Sequence, residues 1–474
     1  MSDLFVESFV VGTAIGSVIV TYLLYRYLAR RGLDAALVGM VFLATLGTEY
    51  CLRPLRIVAS NQFGWEATVV RPLTHADTGG LIMASFLSFA GIAAFAAACR
   101  LSAQPGAQLP SLQRHSPPDP PQRYDSTDHP SVLGLPLSML TVVSVVVSAT
   151  IALQLGSVGG ALTGDFGRQN VRSGYAYLLV NLAGVGVLVA VASLPIYALR
   201  RWSTRFILAG GYSAFLAVHL LVLGGRAEII IISVALLTLT THRLGRPRKW
   251  TLAAVLIVST AALGVVRVAT REAFVSGGRD EAPVALVASA LRDPVALITK
   301  YDVSAYDKLV ILEQAGGRLG NGETYVAALL SALPSTPPAG LEGGNRAFTR
   351  RFFPARYARG VTYEGISMFG EARYNLGWIG PPLAGALAGW GYGTLIRTSR
   401  RGGMSLLVLS LSAGVFPNLV RADALNTAAL GGSLILFTLL MNGLITKRKQ
   451  RSTPSLPARP RAPTRSPSGH IYGM

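Results

Sequence analysis

The sequence predicts an all-α fold, a polytopic transmembrane helical bundle of about eleven spans. Two features of the composition support this prediction. Hydrophobic residues make up 51% of the 474 residues and charged residues only 14%, whereas a soluble domain carries about 25% charged residues. The mean hydropathy of +0.45 agrees. This composition excludes a soluble enzyme, a disordered chain and a disulfide-rich secreted module.

Each predicted span is an apolar segment, and most are long enough to cross a hydrocarbon layer of about 30 Å. The segments run over residues 8–28, 34–52, 79–99, 132–154, 174–199, 204–223, 227–241, 250–267, 374–396, 403–420 and 427–446. The seventh is short and begins at Arg226 and Glu228, which favours a tilted or partly re-entrant segment.

The spans divide the chain into membrane and non-membrane parts. Spans 1–3 occupy residues 1–100, spans 4–8 residues 131–267 and spans 9–11 residues 369–446. Between them lie a Pro-rich linker at 101–130, expected to be disordered, and a structured loop at 268–368 between spans 8 and 9. In this loop, helical spacing of apolar residues within 281–316 predicts one helix. The run from Thr324 to Leu333 predicts a second helical or interfacial segment. A basic tail, also expected to be disordered, follows at 447–474.

The distribution of charge predicts the orientation of the spans. Basic residues concentrate in one alternating set of connections and in the tail, so these parts and the C-terminus are expected on the cytoplasmic side. The opposite set, with the loop 268–368, holds most of the acidic residues and is expected outside. The formal net charge of +20 is therefore attributed to membrane topology and anionic membrane lipids, not to a nucleic-acid partner.

The sequence contains no pattern typical of a metal or cofactor site. The two cysteines, Cys51 and Cys99, are expected about 30 Å apart at opposite membrane faces, too far for a disulfide. Phosphate-loop, HExxH, CxxC and dinucleotide motifs do not occur, and no histidines are paired at ligand spacing. We expect no cofactor and no metal.

Arginines and aromatics alternate in the second half of the outer loop. Five arginines lie within residues 345–359, on the side of the membrane where basic residues are normally scarce. Guanidinium groups bind phosphate through two parallel hydrogen bonds, and aromatic rings stack on sugars, so a glycan diphosphate would suit both. The alternative is an interfacial loop whose arginines reach lipid phosphates. The candidate binding residues are Arg350, Arg351, Arg356, Arg359 and Tyr363.

Two carboxylates close to the ninth span are candidate catalytic groups. Glu371 and Glu364 are seven residues apart, and Asn375 follows Glu371 by four residues, on the same face of a helix. An ionisable group at a membrane boundary is costly, which favours a functional role. The alternative is a buried ion pair between Glu371 and Arg373 or another outer arginine. Glu371 is the preferred general base because burial raises a carboxyl pKa.

Further charges lie at the outer ends of other spans. Each alone is better explained as an ion pair or an interfacial anchor, but arginines converging from several helices would form an anion site. They are Glu49, Arg53 and Arg56; Asp165, Arg168 and Arg172; Arg226 and Glu228; and Arg421 and Asp423.

Several of these segments resemble bacterial O-antigen and oligosaccharide repeat-unit polymerases (Wzy type). The strongest is residues 364–377, EGISMFGEARYNLG, in which a Gly-Glu pair enters a span and Tyr, Asn and Gly follow. Three weaker similarities are GETY at 322–325 followed by Leu333-Pro334, GGRAE at 224–228, and RAD at 421–423, where Ala422 replaces the family's glycine. The resemblance covers about residues 210–445.

The resemblance implies that the protein is an enzyme of the bacterial cytoplasmic membrane, and it also implies which molecules this enzyme binds. The expected activity is a metal-independent glycosyl transfer between polyprenyl-diphosphate-linked oligosaccharides at the outer face, which builds a surface or secreted polysaccharide. Glu371, with Glu364 as second choice, would be the base. Arg226, Arg373, Asn375 and Arg421 would join the Arg-aromatic run in binding substrate. A chain-length regulator or a flippase is a further expected partner.

Other functions remain open at the level of sequence. An O-antigen ligase differs only in its acceptor. A lipid-linked glycan flippase or other transporter would place charges along mid-span paths, and a non-catalytic assembly subunit would need no base.

Overall fold

The computed structural model is a helical bundle and describes residues 3–63, 71–72, 74–104, 146, 181–194, 196–217, 219, 226–244, 305–316, 319–331, 341–359, 365–399, 403–432 and 434–440. Within these ranges, the only strands are the two-residue pair Gln62–Phe63 and Arg71–Pro72, which is antiparallel with Gln62 opposite Pro72. Residues 105–130 of the predicted linker, the tail, the fourth and eighth spans and residues 268–304 of the loop lie outside the described residues, apart from Val146. The first two residues of the predicted linker, Leu101 and Ser102, belong to the end of the helix His75–Ser102.

The N-terminal part consists of three apolar helices, an irregular turn and one short helix. They are α1 (Asp3–Ala29), α2 (Leu33–Leu46), a π-helical turn (Gly47–Leu52), α3 (Arg53–Ser60) and α4 (His75–Ser102). Four further helices follow: α5 (Leu182–Ser193), α6 (Ile196–Arg200), α7 (Trp202–Ala217) and α8 (Arg226–Leu244).

Four short helices lie within the predicted outer loop. They are α9 (Ala305–Ala315), α10 (Glu323–Ser331), α11 (Gly344–Phe352) and α12 (Pro354–Arg359). Helix α10 confirms the helix predicted from Thr324 onwards, and α9 confirms the described part of the earlier one.

The C-terminal helices follow the loop helices in the sequence. They are α13 (Met368–Leu376), a 3-10 turn (Gly377–Ile379), α14 (Gly380–Ser399), α15 (Gly403–Arg421), α16 (Ala424–Thr427) and a π turn (Ala428–Gly432). Residues 434–440 are also helical.

Four stretches of the described chain are long and apolar enough to cross a membrane. They are Leu4–Ala29, Ala35–Ser60, Asp77–Ser102 and Met404–Arg421, and they coincide with the first, second, third and tenth predicted spans. The second extends past its predicted end at residue 52, because buried Arg53 is neutralised by Asp307 of α9, with 2.7 Å between Nε and Oδ2.

Small residues let α14 pack closely on α4. Three glycines one turn apart, Gly385, Gly389 and Gly393, face α4, and a Cβ at Gly389 would lie only 2.2 Å from the Phe95 carbonyl oxygen. This spacing of small residues is the usual device for close helix contact in membranes. The contact fixes α14, and with it α13, against the N-terminal helices.

An aromatic cluster fills the centre between these helices. Phe42 of α2, Phe95 of α4, Tyr392 of α14 and Phe416 of α15 have ring centroids 4.5–6.4 Å apart, within or close to the range that aromatic pairs prefer. The Tyr392 hydroxyl donates to the Ser412 carbonyl at 2.6 Å. The cluster thus ties α2, α4, α14 and α15 into one core.

Candidate functional site

Glu371 lies in the first turn of α13 and is 1% exposed. Ser367 caps the start of this helix, has a φ of 71° and accepts the Gly370 amide with its hydroxyl at 3.1 Å. Both carboxylate oxygens of Glu371 are bonded. The Thr324 hydroxyl of α10 donates to Oε1 at 2.5 Å, and the Ala424 amide of α16 donates to Oε2 at 2.6 Å. One carboxylate therefore joins three helices that are far apart in sequence.

Asn375 shares the face of Glu371, as its spacing predicts. Its Nδ2 donates to the Glu371 carbonyl at 3.0 Å and to the Thr324 hydroxyl oxygen at 2.7 Å, and its Oδ1 accepts the Gly322 amide at 3.1 Å. Asn375 thus orients the carboxylate indirectly. By occupying the Thr324 oxygen as an acceptor, it directs the hydroxyl hydrogen of Thr324 towards Glu371.

A second buried carboxylate lies beside Glu371. Asp423 is 1% exposed and accepts the Asn345 amide at 2.9 Å, in the first turn of α11. The preceding glycines sit against both carboxylates: a Cβ at Gly343 would lie 2.7 Å from Asp423 Oδ2, and one at Gly344 would lie 2.8 Å from Glu371 Oε1. Only residues without a side chain allow the start of α11 to cover the pair. We call Glu371, Thr324, Asn375 and Asp423 the Glu371 cluster.

The environment of Glu371 tunes its protonation. Burial raises its pKa from 4.5 to about 7, and the negative charge of Asp423 adds to this effect, while the hydrogen bonds from Thr324 and Ala424 act in the opposite direction. A carboxyl group with a pKa near the working pH is suited to accept a proton in a reaction.

Arg421 is the last residue of α15 and lies three residues before Ala424. Its Nε contacts Glu49 Oε1 at 2.7 Å, and its side chain is 34% exposed, whereas that of Glu49 is 4% exposed. The chain entering α13 passes directly over this helix end, since a Cβ at Gly365 would lie 2.6 Å from the Arg421 carbonyl oxygen. The residue that carries this cation is therefore three positions from the Ala424 amide that binds Glu371.

Arg373 is directed away from the cluster. It is buried and forms a two-pronged ion pair with Glu313 of α9, whose Oε2 lies 3.3 Å from Arg373 Nη2 and also accepts the Trp378 indole at 3.3 Å. The partner of Arg373 in the structure is therefore Glu313, not Glu371 as the alternative interpretation of the sequence supposed. Residues two apart on a helix lie on different faces, which is the physical reason.

The arginines of α11 form a solvent-facing basic surface. Arg346 and Arg350 are 52% and 58% exposed and contact Glu342 at 3.3 and 3.2 Å, and Arg351 is also exposed. The Tyr357 hydroxyl donates to Glu342 at 2.8 Å, and the Arg346 guanidinium lies 5.6 Å from the centre of the Tyr357 ring. The alternation of arginine and aromatic residues in the sequence thus corresponds to real contacts between the two types.

Three of the remaining predicted residues belong to described helices, and two lie outside the described residues. Arg356 and Arg359 belong to α12, and Arg226 is the first residue of α8. Tyr363 and Glu364 lie outside the described residues. The structure brings Glu371 and Asn375 together. Arg421 lies three residues before Ala424, whose amide binds the Glu371 carboxylate.

Sequence reasoning missed several residues of this region. Thr324 entered only as part of a motif, and Glu313, Glu342 and Asp307 were not singled out. The buried acids Asp307 and Glu313 had one available signal, since both lie in an apolar, helically spaced stretch where an unpaired charge would be costly.

No group of three or more metal-ligating side chains occurs in the part of the chain that the structure describes. Cys51 and Cys99 are buried free thiols. Comparison of the sequence with protein-family models and with curated proteins, and of the fold with solved structures, finds no match.

Proposed function

We propose that this protein is a bacterial membrane glycosyltransferase that polymerises polyprenyl-diphosphate-linked oligosaccharide repeat units at the outer face of the cytoplasmic membrane. The proposal includes about eleven spans, a cytoplasmic C-terminus and an extracytoplasmic loop over residues 268–368. The resemblance of residues 364–377 to repeat-unit polymerases supports this proposal.

The observation that carries the proposal is the state of Glu371. This carboxylate is buried, accepts hydrogen bonds from two other helices and has a pKa of about 7. Groups with this combination of burial and tuned pKa are concentrated at functional sites. The neighbouring Arg421 supplies a partly exposed cation, which an anionic leaving group requires.

In the proposed reaction, the hydroxyl oxygen of the acceptor unit attacks the anomeric carbon of the donor. The bond from that carbon to the diphosphate oxygen breaks, and polyprenyl diphosphate leaves with the bonding electrons. Glu371 accepts the hydroxyl proton. Both of its oxygens are engaged in the structure, so the acceptor hydroxyl would replace the Thr324 hydroxyl as the donor to Oε1.

The arginines would hold the diphosphate. Arg421 is the first choice among the described side chains because it lies three residues before Ala424, whose amide binds the base. Arg350 and Arg351 offer a more exposed basic surface on α11. Their planar guanidinium groups match phosphate oxygens in pairs. Arg226, Arg356 and Arg359 complete the proposed set from their positions in the sequence. Arg373, predicted from the sequence to bind substrate, is buried against Glu313, so its proposed role is to hold α13 in place, not to contact the diphosphate.

The test is polymerisation by the purified protein supplied with a lipid-linked repeat unit. Lengthening of the glycan on the lipid would support the proposal. Transfer of the glycan only to a lipid A-type acceptor would indicate a ligase. In a deletion strain, export of single repeat units without polymer supports a polymerase, whereas accumulation of units on the inner leaflet would indicate a flippase.

A further inference from the structure

The second membrane helix contains an irregular turn that carries two buried charges. Residues Gly47–Leu52 wind as a π turn between α2 and α3, and turns of this kind are frequent at functional sites. Glu49 lies in the turn and Arg53 lies four residues later, with side chains only 4% and 5% exposed. Two charged side chains of the same helix are therefore buried away from water.

Each of these charges binds a different part of the molecule. Arg53 Nε contacts Asp307 Oδ2 of α9 at 2.7 Å, and Glu49 Oε1 contacts Arg421 Nε of α15 at 2.7 Å. The Ala305 amide, at the start of α9, also donates to Glu49 Oε2, at 3.4 Å. One turn of the second membrane helix thus links the outer-loop helix to the end of α15.

The two ion pairs differ in their access to solvent. Arg53 and Asp307 are both buried, at 5% and 0% exposure, which is the arrangement of a structural pair. In the other pair the carboxylate is buried but Arg421 is 34% exposed. Because Nε belongs to the planar guanidinium group, a bond to Nε sets the orientation of the whole plane.

We propose that Glu49 is a positioning residue that fixes the Arg421 guanidinium for binding of a diphosphate. This inference rests on the proposed function and adds a residue from the second membrane helix to the substrate site. Glu49 does not touch the substrate. Its carboxylate holds the Nε edge from the buried side, so that the partly exposed end of Arg421 is presented in one orientation.

Binding of a polyprenyl diphosphate to the purified full-length protein tests the inference. Glu49→Gln is expected to bind this probe about tenfold more weakly, since it replaces a charge-assisted bond by a neutral one. Asp307→Asn is the matched control, because it disrupts the neighbouring buried pair without touching Nε of Arg421. We expect its affinity to stay within about twofold of the wild type.

A double variant separates positioning from a general structural role. Lysine has no Nε-bearing plane, so Glu49→Gln should cause little additional loss in an Arg421→Lys background. Full additivity of the two losses would overturn the inference, as would an equal loss in Asp307→Asn or wild-type affinity in Glu49→Gln. If Glu49→Gln does not fold, Glu49→Asp, which keeps the charge but withdraws it from Nε, is judged by the same outcomes.

The inference and the proposed function fail differently. If the wild-type protein does not bind a polyprenyl diphosphate, both are overturned. If the wild type binds and only the Glu49 variants behave as wild type, the proposed function stands and the positioning role is wrong.

Discussion

The Thr324 hydroxyl donates a hydrogen bond of 2.5 Å to Glu371 Oε1, although the two residues are 47 positions apart. Thr324 belongs to α10, within the predicted outer loop, and Glu371 belongs to α13, which leads into α14. The contact therefore couples the loop to the bundle through the residue that we propose as the base. A substrate that displaces this hydroxyl would break the hydrogen bond between α10 and α13.

We expect Gly389→Ala to destabilise the protein by about 1–3 kcal/mol, because the new Cβ would lie 2.2 Å from a backbone oxygen of α4. Gly391→Ala is the matched control two residues away, where a Cβ meets nothing within 4 Å. Thermal unfolding in detergent compares the two variants. Equal stability of both would contradict the close packing of α14 on α4.

The raised pKa of Glu371 predicts a pH-dependent stability. Folding raises the pKa from 4.5 to about 7, so between these values the folded protein binds more protons than the unfolded chain. Stability then falls as pH rises through this window, by on the order of 3 kcal/mol. Unfolding at about pH 5 and about pH 8 should show this loss in the wild type.

Glu371→Gln serves as the control for this pH effect. The amide does not titrate, so the variant should lose less stability than the wild type over the same range. Burial also raises the pKa of Asp307, to about 6, but this group is present in both proteins and cancels in the difference. Identical pH profiles for the two proteins would show that Glu371 does not titrate in this window.

The helices that the sequence predicts best are those that are long and apolar throughout. Segments 8–28, 79–99 and 403–420 were identified within a few residues of α1, α4 and α15. The second span was predicted too short, because its end was set at Arg53 and Arg56. Only the structure shows that Asp307 of α9 pairs with Arg53 and allows its side chain to be buried.

The candidate site was predictable where it depends on helical spacing and unpredictable where it depends on distant contacts. Asn375 on the face of Glu371 follows from a spacing of four. The bonds from Thr324 and Ala424 join segments about fifty residues away on either side, and no local pattern specifies such pairings. The same holds for Arg373, whose partner Glu313 is 60 residues distant.

Arg421→Lys should lower polymerase activity by about tenfold or more, because lysine lacks the planar fork that binds two phosphate oxygens. Arg397→Lys is a control, since Arg397 is exposed in the last turn of α14, at the end predicted to be cytoplasmic. Activity is compared at equal amounts of protein in the membrane. Full activity of Arg421→Lys would exclude paired phosphate recognition by this residue.

A quadruple glutamine variant tests the arginine set as a whole. Replacing Arg226, Arg350, Arg351 and Arg421 should abolish polymer formation, because the leaving diphosphate loses its cationic partners. Polymer of wild-type length and amount from this variant would rule the site out.

Accessibility of engineered cysteines tests the proposed topology. An impermeant thiol reagent added outside should label Ser276→Cys in the outer loop and leave Ser452→Cys in the cytoplasmic tail unlabelled. The natural thiols Cys51 and Cys99 are buried, and the unsubstituted protein serves as the blank. The opposite labelling pattern would invert the orientation of the whole chain and place the Glu371 cluster on the cytoplasmic side.

The most direct test of the central claim is the rate at which purified Glu371→Gln lengthens a lipid-linked repeat unit. The variant should fold, reach the membrane and bind the substrate, but polymerise roughly 10²–10⁴-fold more slowly than the wild type, because its amide cannot accept the acceptor proton. A purely structural carboxylate would instead reduce the amount of folded protein. Polymerisation at the wild-type rate by normally folded Glu371→Gln would contradict the assignment of Glu371 as the base.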